Sequence, residues 1–326
     1  MVTRVVIFLA VGISTFLVLI ATFAPYLYPE YELRVHGKEP PVVPSPAGPV
    51  AGHWFDDYFV VEQVDSTTFA IGEPRYYQGN YSYLLLGNRR AVLFDAGSGT
   101  RDIVPVIRSV TSLPVTVVPS HLHYDHVGAL ARFERTALLD APALRARIRA
   151  GGLTLQRYEF LGFVEDLAPP TFRVDEWWAP GSIVDLGGRQ VRVLATPGHT
   201  PTSLSLYDEQ RRQIFVGDFI YPGELYVFLP GASREAYLAT TRRLLKQLDP
   251  LTRIFAAHMA GPPAPVQAPV LGIADLQSLE RTLIGIHTGS LDAVSSGEFP
   301  TVLGYPRLYP VRGATTLATG YPWNNR

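Results

Sequence analysis

The residues best suited to chemistry lie in one short run, Ser120-His121-Leu122-His123-Tyr124-Asp125-His126, which holds three of the chain's 8 histidines. Residues two apart in an extended segment project to the same side, so His121 and His123 can grip one cation while a following turn directs Asp125 and His126 towards a second. The plain alternative is a solvated loop rich in histidine. Partly protonated imidazoles repel one another, however, so such a cluster is costly without a metal or carboxylate to offset it. The chain has no cysteine, which removes thiolate nucleophiles, disulfide frameworks and Cys-based zinc sites together. Any metal is therefore held by imidazole and carboxylate, a donor set that suits Zn, Fe, Mn or Ni.

The elements that must position this run are short and β-rich. Tyr58 to Val64, Thr67 to Ile71, Tyr81 to Leu86, Ala91 to Phe94 and Val115 to Val118 read as strands, bounded by Gly, Asn and Pro. Val127 to Arg135 and Ala141 to Ala150 read as helices on either side of the apolar run Ala137 to Leu139. A second strand-rich block follows at Ile183 to Leu186, Val191 to Ala195, Ser203 to Tyr207 and Gln213 to Val216. Ser233 is a plausible N-cap for a helix to Leu248, ended by Pro250. Arg253 to Ala257 returns as a strand, and Ile273 to about His287 repeats apolar residues at helical spacing. Two strand blocks, each followed by helices, fit a four-layer αβ/βα sandwich with helices on the outer faces of two packed sheets.

From Ser120 to Gly128 the chain resembles the signature of the metallo-β-lactamase superfamily, and the rest of that family's pattern occurs in order. Leu93-Phe94-Asp95-Ala96-Gly97 resembles the first motif, Thr196-Pro197-Gly198-His199-Thr200 the third, Val216-Gly217-Asp218 the fourth and Ala256-Ala257-His258 the fifth. The resemblance implies that His121, His123 and His199 hold one metal, that Asp125, His126 and His258 hold the other, and that Asp218 bridges them. It also implies that Asp95 supports the metal loop through hydrogen bonds without ligating. Taken singly the later motifs are weak, and their joint order carries the reading. His36, His53 and His287 are left unassigned, and Trp177 and Trp178 are read as packing.

Two divalent ions, zinc first with iron or manganese as alternatives, would share and acidify a water and polarise the carbonyl or phosphoryl oxygen that it attacks. Asp125 is the first candidate to steer that water's proton. The position of Asp218 is a cysteine in the best-known zinc β-lactamases of the family, which disfavours β-lactam hydrolysis. Tyr221 resembles in placement a tyrosine that contacts the substrate carbonyl in some acyl-homoserine lactonases, with ordinary packing as its plain alternative. Gly217 to Leu225, followed by Phe228-Leu229-Pro230, is similar to a branch that includes an acyl-coenzyme A thioesterase. The leading expectation is hydrolysis of an ester, thioester or lactone, a small acyl-type substrate whose apolar part would lie against residues such as Tyr226 and Phe228. Three alternatives stand beside it: a phosphodiesterase or nuclease on the same metals, an iron enzyme such as a persulfide oxygenase, and an inactive membrane-anchored binding module.

Lys and Arg number 28 against 29 Asp and Glu, and the net charge of -1 gives no general attraction to nucleic acid. Val5 to Ala24 is an uncharged apolar stretch, long enough as a helix to cross a hydrocarbon core of about 30 Å. It is expected to be a transmembrane signal anchor, with a cleaved signal peptide as the rival, and either carries the enzyme out of the cytoplasm. The organisation expected is thus an anchor at 1–24, a proline-rich linker at 25–52 and a catalytic domain at 53–326.

Overall fold

The computed structural model describes residues 42–46, 48–261 and 264–292, and the backbone of two further strands at 307–310 and 316–319. Two six-stranded sheets dominate it. In the first, His53–Trp54, Val60–Asp65, Thr68–Glu73, Asn80–Leu86 and Ala91–Phe94 run antiparallel in that order, and Val115–Val118 joins Ala91–Phe94 in parallel. The second repeats the plan. Ile183–Asp185, Gln190–Ala195, Leu204–Asp208 and Gln213–Gly217 are antiparallel, Arg253–Ala256 adds in parallel, and Val270–Leu271 closes the edge. A parallel pair needs a crossover, and each sheet uses a helix for it, Val104–Val110 in the first and Arg234–Gln247 in the second.

Strand periodicity explains the four layers. Tyr83, Leu85, Val92 and Phe94 point between the sheets and meet Val193, Leu206, Phe215 and Phe255 there. The alternate residues Leu84, Ala91, Leu93 and Val117 pack outward against Ile103, Val106 and Ile107. On the other side Leu194, Tyr207, Ile214, Val216 and Ile254 pack against Tyr237, Leu244, Leu276, Leu279 and Leu283 of the two long helices. Strands apolar on both faces must be covered on both faces, and the four-layer αβ/βα architecture follows.

The long helices lie close to their expected bounds. Arg234–Gln247 is capped by Ser233, whose hydroxyl accepts from the Ala236 amide at 3.2 Å, and Ile273–Thr288 ends at Gly289. The expected helix from Val127 to Arg135 does not form. A single turn at Tyr124–Val127 and a 3₁₀ turn at Leu130–Arg132 stand there: Gly128 keeps helical dihedrals, packed against Ser98 and Gly99 with no room for a Cβ, and the backbone leaves the helical path at Ala129, with φ -105° and ψ 8°. Ala141 to Ala150 likewise contracts to one helical turn, Pro142–Arg145. The last residues of the expected linker lie against the domain, where the Val43 amide donates to Arg75 O and the Ala51 amide to Val266 O, each at 2.8 Å. Among the described residues no helix is long and apolar enough to cross a membrane, and Val5 to Ala24 and His36 lie outside the described residues.

Candidate metal centre

The centre sits where the strand ends of both sheets meet. The strand Val115–Val118 delivers the 120–126 turn, the strand Gln190–Ala195 leads to His199, Gln213–Gly217 ends beside Asp218, and Arg253–Ala256 runs into His258. All seven residues expected as ligands are buried and lie together. Their donor atoms form three overlapping groups, His121/His123/His199, His121/His126/Asp218 and Asp125/His126/His258, each with its atoms within 4.8 Å of one another. Asp218 lies between the outer two groups. Its Oδ1 is 3.1 Å from His258 Nε2 and 3.3 Å from His126 Nε2, while Oδ2 is 3.2 Å from His258 Nε2 and 3.6 Å from His199 Nε2.

Outer contacts determine which nitrogen each imidazole presents. His199 Nδ1 meets the Tyr226 carbonyl at 3.1 Å, and His258 Nδ1 meets the Gln78 carbonyl at 3.2 Å. A carbonyl only accepts, so both rings carry their proton on Nδ1 and turn the Nε2 lone pair inward. His121 Nδ1 meets Ser120 Oγ at 3.0 Å, and His126 Nδ1 lies 3.1 Å from Asp95 Oδ2. His123 is the exception and presents Nδ1, 2.8 Å from His121 Nε2 and 3.1 Å from His199 Nε2. Asp95, in the left-handed region at φ 66°, also accepts the Ser120 amide on Oδ1 at 2.6 Å and so pins the start of the turn. Gly217 is required twice over, by φ 56° and because a Cβ there would lie 2.2 Å from Ser120 Oγ.

The electrostatics divide the centre. Burial and neighbouring imidazoles hold His121 and His123 well below the usual histidine range, and burial lowers His199. Burial acts the same way on His126 and His258, but is outweighed by Asp125, Asp218 and Asp95 around His126 and by Asp218 beside His258, so both are raised. Burial would lift the two carboxylates, yet His126 and His258 overcome it, bringing Asp125 to about 2 and Asp218 well below its ordinary value.

Divalent cations fit this donor set. His126 Nε2 and Asp218 Oδ1 are buried without an aligned hydrogen bond although they lie 3.3 Å apart, and lone pairs of His121, His123 and His199 converge. Buried polar atoms are rarely left this way, and a cation among them would satisfy all of them at once.

Tyr221 is buried against the centre, with its ring 4.9 Å from that of His258, and its hydroxyl donates to the Glu224 carbonyl. Three residues with no role expected from sequence also belong here. Asn80 donates from Nδ2 to Asp125 O at 2.8 Å and to Asp125 Oδ2 at 3.2 Å, which leaves its own Oδ1 without a partner. Tyr77 and Gln78 contact Tyr124, the residue between His123 and Asp125. The only signal for them was the polar run Tyr76-Tyr77-Gln78-Gly79-Asn80 ahead of an apolar strand, which resembles any loop.

The model of the metallo-beta-lactamase superfamily matches residues 76–258, which contain all seven candidate ligands. The chain belongs to the metallo-beta-lactamase superfamily. Over 219 residues it is 28% identical to the acyl-coenzyme A thioesterase MBLAC2 of Gallus gallus, covering 59% of this chain and 77% of that protein. Over 192 residues it is 27% identical to the hydroxyacylglutathione hydrolase of Synechococcus sp. (strain JA-3-3Ab), covering 55% of this chain and 63% of that one. The fold is shared with a metallo-beta-lactamase from Pontibacter korlensis at a TM-score of 0.51 and 17% identity, over 69% of this chain and 99% of that one. These relatives and the family place the chain among metal-dependent hydrolases.

Proposed function

We propose that this protein is a two-metal hydrolase of an ester-type bond, an ester, thioester or lactone. His121, His123 and His199 would hold one ion, Asp125, His126 and His258 the other, and Asp218 would reach both. The observation that carries the reading is Asp218, whose one carboxylate reaches both histidine groups, with Oδ1 3.3 Å from His126 Nε2, Oδ2 3.6 Å from His199 Nε2 and both oxygens within 3.2 Å of His258 Nε2. Divalent ions so held, zinc being the family's usual choice, acidify water and polarise a carbonyl oxygen. Two such ions and two carboxylates leave the buried centre with a net positive charge, which favours an electron-rich oxygen of the substrate. The thioesterase and the hydroxyacylglutathione hydrolase among the relatives support an acyl substrate.

The chain's own residues divide the remaining work. Asp125, held on one edge by Asn80, is the carboxylate assigned to take the proton of the attacking water. Asp95, Ser120, Tyr226 and Gln78 fix the imidazole rings through the contacts described above, so little reorganisation accompanies reaction. Tyr221 braces the 221–224 turn against His258. Phe228, buried, and Tyr226, 5.5 Å from it between ring centroids, supply an apolar wall beside His199 for the acyl part. For the whole chain we propose display outside the cytoplasm through the Val5 to Ala24 stretch. A mature protein from membranes whose mass begins near Pro25 would replace the anchor with a cleaved signal.

The test pairs elemental analysis of the purified chain with turnover of ester, thioester, lactone and phosphodiester probes. Two zinc-like ions with acyl turnover are expected. Phosphodiester turnover alone, or one iron without hydrolysis, would overturn the reading.

A further inference from the structure

Counting protons in one corner of the centre identifies a donor that no other group among the described residues uses. The hydroxyl oxygens of Tyr77 and Tyr124 are 2.5 Å apart, and the Gln78 amide lies 2.7 Å from the first and 2.6 Å from the second. Three contacts this short need three protons. With the amide oxygen turned inward only the two phenolic protons would be available, and one contact would set lone pair against lone pair. With the amide nitrogen inward, as in the structure, its two hydrogens serve two contacts and one phenol serves the third. The proton of the other phenol is then left over, whichever way the phenol pair is directed.

The pair adjoins the outer side of the centre. Tyr124 sits between His123 and Asp125 in the chain, the Gln78 carbonyl receives His258 Nδ1, and Tyr77 and Gln78 are partly exposed while Tyr124 is buried. Tyr221, the tyrosine that family resemblance singles out, has its hydroxyl engaged by Glu224. We propose that Tyr77 and Tyr124, bridged by Gln78, form a substrate-contacting donor that offers the unshared phenolic proton to a carbonyl or carboxylate oxygen of the acyl substrate. This rests on the acyl-hydrolase reading for the substrate class, and on the hydrogen-bond geometry alone for the donor.

The pair makes an unusual prediction. Replacing either tyrosine with phenylalanine removes one phenol but frees the proton of the other, so only the double change abolishes the phenolic donor. The test uses the metal-loaded full chain and its Tyr77→Phe, Tyr124→Phe and doubly substituted forms. It measures metal content, kcat and KM on p-nitrophenyl hexanoate, and the affinity for hexanoate by calorimetry. Removing an electrostatic donor of this kind costs on the order of a hundredfold in kcat. The expected result is wild-type metal content throughout, a loss of about threefold or less in each single variant, and at least about tenfold in the double variant, with hexanoate binding weakened in parallel. A double variant with wild-type turnover and hexanoate affinity would overturn the proposal, as would a loss that tracks loss of metal. A wild type that hydrolyses no acyl probe but binds hexanoate through this pair would sink the acyl-hydrolase reading and leave the donor standing. Acyl turnover that the double variant retains in full would do the reverse.

Discussion

Replacing Asp95 with asparagine tests how the centre prepares its ligands. The carboxylate makes two contacts: Oδ1 accepts the Ser120 amide at 2.6 Å, and Oδ2 lies 3.1 Å from His126 Nδ1, close but not in hydrogen-bond alignment. The negative charge beside Nδ1 favours a proton there, which leaves the Nε2 lone pair for a metal. Asparagine keeps the shape and can still accept from Ser120, but then turns an NH₂ group towards His126. The donor favours an unprotonated Nδ1, and the ring proton moves to Nε2, the nitrogen that must ligate. Loss of such an orienting partner weakens metal binding by about 10- to 100-fold, or about 1.4–2.7 kcal/mol. Because φ is 66°, Asp95→Gly is the natural control, since it tolerates the backbone and removes both contacts. Competition with a graded series of chelators, read by elemental analysis, should show one ion lost early from Asp95→Asn and a larger loss from Asp95→Gly. If Asp95→Asn retains both ions with wild-type affinity while Asp95→Gly does not, the Ser120 brace alone matters and the tautomer argument fails.

Four further outcomes follow from the same geometry. Asp218→Ala removes the carboxylate shared between the two histidine groups and should leave about one ion with most turnover lost; unchanged metal content would refute the bridging assignment. Without metal, His126 and His258 are raised above the ordinary value of about 6.5, so their protons stabilise the metal-free fold below that pH, and this contribution fades as pH rises through the raised values. Metal must displace those protons, while Asp125 and Asp218 stay ionised, so affinity in chelator competition should climb between about pH 6 and 8, by up to about tenfold per unit for each proton displaced; a flat profile would contradict it. Tyr221→Phe should change ester turnover by less than about threefold, because the hydroxyl is engaged by Glu224; a loss of about tenfold or more, near 1.4 kcal/mol, would mean that it turns to the substrate. Away from the centre, buried Arg189 donates to Asp208, Thr67 O and Thr68, tying the two sheets together. Arg189→Met should cost about 3–5 kcal/mol in urea unfolding, and Arg189→Met combined with Asp208→Leu should recover much of it; equal losses would show that the charge pair is not what matters.

Much of the centre could be read before any coordinates because its chemistry is local. His121 and His123 alternate along an extended segment, Asp125 and His126 follow in the turn, and motifs ending in His199, Asp218 and His258 each stand directly after an apolar strand. The Ser233 cap and the apolar spacing of Ile273, Leu276, Leu279 and Leu283 foretold the long helices for the same reason. Local reading failed at Val127 to Arg135, where the helix breaks at Ala129, directly after Gly128 packs against the 98–99 loop. That contact joins residues about thirty apart, and no window along the chain contains it.

The sequence by itself determined the donor types, their order and the alternation that forces two sheets to be covered on both faces, because side-chain chemistry and strand period are written residue by residue. Tertiary structure alone decided which nitrogen His199 and His258 present, since the partners that decide it are the carbonyls of Tyr226 and Gln78, groups that every residue carries and no motif can mark. It also decided which tyrosine has a proton to spare. Tyr221 looked the better candidate along the chain, and only the folded contacts engage its hydroxyl while leaving one proton unshared between Tyr77 and Tyr124.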